Sequence, residues 1–98
     1  MEEVIYFTEL YDLYGELLTN KQKEYFENYY FNNLSLSEMA ENYDVSRNAI
    51  HKQVKNVTDK LNYYESILKL REKSKILNEI IENIQDEKLK SNLTDLLY

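Results

Sequence analysis

The chain has no cysteine, no proline and no tryptophan, and only one glycine and one histidine in 98 residues. Without cysteine there is no disulfide framework, no thiol redox chemistry and no zinc finger. No run approaches the roughly 20 apolar residues of a membrane span. The acidic start, MEEVIYFTEL, lacks the positive flank of a signal peptide. These absences predict a cytoplasmic protein with no membrane insertion. The usual signatures of catalysis are missing too: there is no Gly-rich phosphate loop, no dinucleotide fingerprint, and no carboxylate at H-E-x-x-H spacing from His51. Glu79, Glu82 and Asp86 share a helix face, but such rows are usually solvated surface. No enzyme, metal or cofactor is expected.

What is present is helical. Apolar residues recur at helical spacing with no proline to interrupt them, and no alternating run argues for a strand, so a single all-α domain is the economical reading. Richness in Asn, Lys, Ile and Tyr suggests an AT-rich bacterial coding sequence. The net charge of −6 argues against indiscriminate coating of nucleic acid. Its distribution is more telling. Residues 1–44 hold ten acidic and two basic side chains, whereas residues 45–71 hold six basic and two acidic. Residues 72–98 return to a net of −2. Between Val45 and Thr58 there is no carboxylate, only Arg47, Lys52, Lys55 and the titratable His51.

That basic stretch coincides with a motif. Ser35 and Glu38 form a capping box ahead of a short helix carrying Met39, Ala40 and Tyr43 on one face. Asp44 falls where the backbone must turn, and Val45 is positioned to plug the turn. Ser46 caps a second helix in which Ile50, Val54, Val57 and Leu61 follow at steps of four, three and four. With a small residue at Ala40 to let the helices cross closely, residues 35–55 read as a helix-turn-helix.

Upstream, one helix is predicted from Glu3 to about Leu18, with Val4, Phe7, Leu10, Tyr11, Tyr14 and Leu18 on its packed side and Gly15 inside it. A second, about Asn20 to Phe31, starts at a Thr19–Gln22 capping box, and Asn32–Leu34 form a turn. Downstream, the seven-residue rhythm of the motif's last helix runs on through Tyr64 to Leu68, giving some 24 residues and roughly 36 Å. A C-terminal stripe of Ile76, Leu77, Ile80, Ile81, Ile84, Leu89, Leu93, Leu96 and Leu97 offers it a partner, either by folding back or across a homodimer. The homodimer is favoured, because two long apolar stripes exceed what so short a chain can cover. The expected organisation is a helix-turn-helix domain over 1–71 and a helical packing or dimerisation extension over 72–98. The ten tyrosines read as core and interface, since most lie in the acidic half and not among basic residues, as a base-stacking platform requires.

If the motif meets DNA, the N-terminal part of its second helix enters the major groove. Arg47 and Asn48 then lie where side chains reach base edges, Arg suiting guanine and Asn adenine. His51, Lys52 and Lys55 follow, the two lysines placed for phosphates, and the Ser46 hydroxyl with the helix N-terminus suits another phosphate. The acidic neighbours Glu38, Glu41 and Asp44 repel phosphate and keep open a purely protein-mediated role.

The run from Leu10 to Leu68, with its pieces LYDLYGELLT, the KQ…Y…YY helix, SLSEMAE and VSRNAIHKQVK, resembles the YlxM family of small bacterial helix-turn-helix proteins. More distantly, residues 17–61 look like the promoter-reading region 4 of bacterial sigma factors, a likeness of fold only. The YlxM resemblance implies a regulatory protein linked to the signal recognition particle pathway. Its partners would then include that particle's RNA or its GTPases as alternatives to DNA. His51 stands where the family often carries an aromatic residue. After Arg71 the likeness is limited to helical, charged character.

Overall fold

Capping chemistry sets the boundaries of several helices in the computed structural model, which describes residues 2–97; Met1 and Tyr98, at the ends of the two expected segments, lie outside the described residues. Six α-helices follow in order: α1 (Glu2–Tyr14), α2 (Asn20–Phe26), α3 (Leu36–Tyr43), α4 (Arg47–Leu68), α5 (Leu70–Glu82) and α6 (Glu87–Leu97). No strand occurs among the described residues. Both expected capping boxes form. Thr19 accepts from the Gln22 N–H while the Gln22 side chain accepts from the Thr19 N–H, and Ser35 and Glu38 repeat the exchange.

Two segments are tighter or wider than the periodicity suggests. α1 stops at Tyr14, and Gly15–Leu17 form a 3₁₀ turn before Leu18 extends. Gly15 is buried there, and a Cβ on it would lie 3.3 Å from the Tyr11 ring. The expected second helix is α-helical only to Phe26, and Glu27–Phe31 widen into a π-helical turn closed by the Asn32 N–H on the Glu27 carbonyl. Val4, expected on the packed side, is 43% exposed. Tyr6 packs there instead, and its hydroxyl donates to the Asn62 side chain at 3.1 Å.

Two apolar clusters form the core. Phe7, Leu10, Tyr14, Leu18 and Phe26 close over Val57 and Leu61 of α4. Met39 and Ala40 of α3 close over Ile50 and Val54 of the same helix. α4 is thus the axis of the molecule, with its four-three-four apolar row buried from end to end. Most of the described tyrosines sit as expected, as core and packing groups, although Tyr63 is 60% exposed. Tyr11 stacks on Phe26 at 4.2 Å between ring centroids, and Phe26 stacks on Tyr30 at 4.5 Å. Tyr30 packs against both clusters and joins them.

The corner between α4 and α5 has no glycine or proline. Lys69 alone adopts the left-handed conformation (φ 55°), and α5 begins at the next residue. The first N–H groups of a helix need acceptors from outside it. Here the Leu70 N–H donates to the Tyr14 hydroxyl, while those of Arg71 and Glu72 donate to the Glu65 carboxylate. The Tyr14 hydroxyl in turn donates to Glu65 at 2.6 Å. Burial works against the charge on Glu65, but these donors and the nearby Arg71 cation outweigh it and hold the carboxyl below its usual range. α5 then runs back along α1, where Arg71 pairs with Glu9 at 2.5 Å, and α6 turns back on α5.

Candidate nucleic-acid interface

The second helix of the motif, α4, is placed by three successive local devices. Tyr43 ends α3, donating its hydroxyl to Glu24 and accepting from the Asn28 side chain, so that α3 is tied to α2. Burial and the Glu24 hydrogen bond push this phenol up to about 12. Asp44 then takes the left-handed conformation (φ 54°), which Asp tolerates better than most residues. Its N–H bonds the Glu41 carbonyl and that of Val45 bonds Ala40, a Schellman closure of the helix. Val45 therefore serves the turn through its backbone. Its side chain is 46% exposed, so the expected plug is only half seated. Finally the Ser46 hydroxyl accepts the Ala49 N–H at 3.0 Å and starts α4.

Helix geometry then does the sorting. Ile50 is fully buried, and Met39, Ala40 and Val54 pack with it. From the edge of that row round to the opposite side, Arg47, Asn48, His51, Lys52 and Lys55 are all exposed, as is the capping residue Ser46. Arg47, His51 and Lys55 succeed one another at four-residue steps, and Asn48 and Lys52 form a parallel row. From Arg47 to Lys55 the face is about 12 Å long, comparable with the width of a B-DNA major groove. All six residues singled out from the sequence are thus brought onto one end and one face of α4.

One restraint on this face was not foreseen. The Lys55 ammonium is engaged by Asp59 one turn further on, at 2.9 Å. Exposed pairs of this kind are worth well under about 1 kcal/mol, so a phosphate can compete for the lysine. Asp59→Asn is expected to tighten binding to any duplex by a few-fold, read as a parallel shift of titration curves for unrelated sequences. An unchanged affinity would take Lys55 off the phosphate path.

A cation outside the motif also comes close. The Lys21 ammonium stands 4.5 Å from the Tyr43 ring centroid, beside the end of α3. Nothing local in the sequence marks it, because 22 residues separate the two and only the docking of α2 on α3 joins them. Of the acidic neighbours, Glu38 already accepts the Ser35 N–H, which holds its carboxyl below the ordinary range. Glu41 and Asp44 are exposed. Among the described residues no group of three or more His, Cys, Asp or Glu is arranged to hold a metal ion. No described helix is long and apolar enough to cross a membrane.

Comparison with known proteins places the chain in one family. The UPF0122 model, which describes helix-turn-helix proteins that are YlxM / p13 like, matches residues 1–97. The chain is 44% identical over 91 residues to a UPF0122 protein of Ureaplasma urealyticum, covering 93% of this chain and 92% of that one. A UPF0122 protein of Caldanaerobacter subterraneus is 41% identical over 85 residues, 87% of this chain and 73% of its own. One from Fusobacterium nucleatum is 35% identical over 97 residues, 99% of this chain and 94% of its own. The family model runs through α5 and α6, beyond the Leu10–Leu68 stretch in which the sequence alone carries the resemblance.

Proposed function

We propose, from the premise that this chain belongs to the YlxM / p13-like helix-turn-helix family, that it is a non-enzymatic, cytoplasmic regulatory protein reading double-stranded DNA with the N-terminal half of α4. The observation carrying this reading is the segregation on that helix. Its apolar row is buried, while Arg47, Asn48, His51, Lys52 and Lys55 share one exposed face that carries no carboxylate before Asp59. Arg47 and Asn48, in the first turn, take the base edges. Lys52 and Lys55 take phosphates, and Ser46 with the helix N-terminus fixes the register.

The two classes of contact separate by mutation. Arg47→Ala is expected to cost about 1–3 kcal/mol on the preferred sequence and much less on random duplex. Lys55→Ala is expected to weaken both alike and to flatten the salt dependence. Fluorescence-anisotropy titrations of the two variants on both duplexes check this. Equal losses on both duplexes for both variants would remove base readout.

A second reading is favoured by the acidic residues beside the face, Glu38, Glu41 and Asp44. In it the same helix meets a GTPase of the signal recognition particle, the pathway implied by the family resemblance, and no nucleic acid. Binding to that GTPase by a protein with no affinity for duplex DNA or for the particle's RNA would favour it.

A further inference from the structure

α5 is sharply amphipathic, yet its apolar side is mostly uncovered. Of the C-terminal apolar residues only Ile81 is buried. Ile76, Leu77 and Ile80 on α5 are 45–53% exposed, and Leu89 on α6 is 47% exposed. The fold-back onto α1 uses a different side of α5, the one bearing Arg71, Ser74 and Asn78, which lines a cleft with Glu9, Asp12 and Leu13. The chain therefore folds its arm back and still leaves the stripe open.

The areas indicate how much is missing. A compact monomer of 11.9 kDa exposes about 6,000 Å². This chain exposes 7121 Å². The excess, roughly 1,100 Å², is more than the ~800 Å² each partner contributes to a standard interface. The radius of gyration, 17.1 Å, likewise exceeds the ~12.6 Å of a compact domain of this length.

Charge placement then selects the occupant. Lys73 lies within the exposed stripe, and Glu72 and Glu79 lie along one edge of it. Neither Lys73 nor Glu79 takes part in an ion pair among the described residues. They stand three residues either side of Ile76, so an antiparallel copy crossing at Ile76 brings each lysine to the other chain's Glu79. The pattern is complementary to itself, which is what a two-fold interface requires.

We propose that α5, flanked by α6, is the interface of a homodimer: two copies of α5 cross antiparallel at Ile76, burying Ile76, Leu77 and Ile80, with Lys73 of each chain facing the partner's Glu79. The lysine stem covers apolar surface while its ammonium reaches the carboxylate.

Sedimentation velocity on the full chain tests it. The expected species has twice the 11.9 kDa chain mass, and Ile76→Glu with Ile80→Glu is expected to give a monomer of unchanged helical circular dichroism. Lys73→Glu and Glu79→Lys are each expected to weaken the dimer by ten-fold or so through like-charge repulsion, and an equimolar mixture of the two is expected to restore it. A wild-type monomer at micromolar concentrations, a dimer indifferent to the isoleucine changes, or a charge-swapped mixture that does not recover would each overturn the proposal. The first of these would leave the stripe to a different protein.

Discussion

Phe26→Ala is expected to remove about 3–5 kcal/mol of stability, out of the roughly 5–15 kcal/mol that a domain of this size has in total. The Phe26 ring is 1% exposed and lies between Tyr11 and Tyr30, stacked on both. Its removal loses the transfer energy of the ring, opens a cavity that the flanking tyrosines cannot both fill, and breaks three aromatic pairs, with Tyr11, Tyr30 and Phe31. Because Tyr30 joins the two clusters, the loss should reach α3 and α4 as well as α1. Thermal unfolding should show a midpoint lower by ~15 °C or more, and Phe26→Leu, which keeps most of the volume, should lose much less. A shift of only a few degrees for the alanine variant would mean that the aromatic stack is not the centre of the core.

Glu65→Ala should cost on the order of 2–3 kcal/mol, although its side chain is only partly buried. It removes the acceptor for the Tyr14 hydroxyl and for the N–H groups of Arg71 and Glu72 together. The expected consequence is local: α5 detaches from the end of α1, and the amides of residues 70–72 exchange faster than those of α4. Amide hydrogen exchange would show this. Uniform protection across the corner would contradict the assigned role.

The same carboxylate predicts a pH dependence. Its folded-state value lies below the ordinary 4.5, so its contribution is fully present above about 4.5 and is lost as pH falls through the depressed value. Glu65→Gln should flatten that acid limb. Tyr14 acts at the other end of the scale. Burial and the bond to Glu65 push its phenol up to about 12, so its contribution is complete below 10 and fades as pH rises through the folded value.

The parts of this molecule legible in the sequence are those whose causes lie within a few residues. Both capping boxes, the turn at Asp44, the Ser46 cap and the four-three-four row of α4 are local signals, and each appears where it is expected. The placement of Arg47, Asn48, His51, Lys52 and Lys55 on one exposed face follows from the same periodicity. What escaped has distant causes. The bend at Lys69 has no local marker, because its stabilising groups are Tyr14 and Glu65, brought together by the packing of α1 on α4. The π-helical turn at Glu27–Phe31 places Tyr30 between two clusters whose meeting periodicity cannot see. Val45 and Val4 are more exposed than their pattern suggests for a related reason, since an apolar residue predicts burial only where a neighbour arrives to cover it.

We propose that the exposed face of α4 reads DNA. Its most direct test is an anisotropy titration of the purified protein against duplex from upstream of its own operon, beside a scrambled duplex, at low and at physiological salt. The reading predicts a preference for the native duplex that persists at physiological salt and is lost in Arg47→Ala. Equal affinity for both duplexes, vanishing together as salt rises, would contradict it and leave only generic electrostatics.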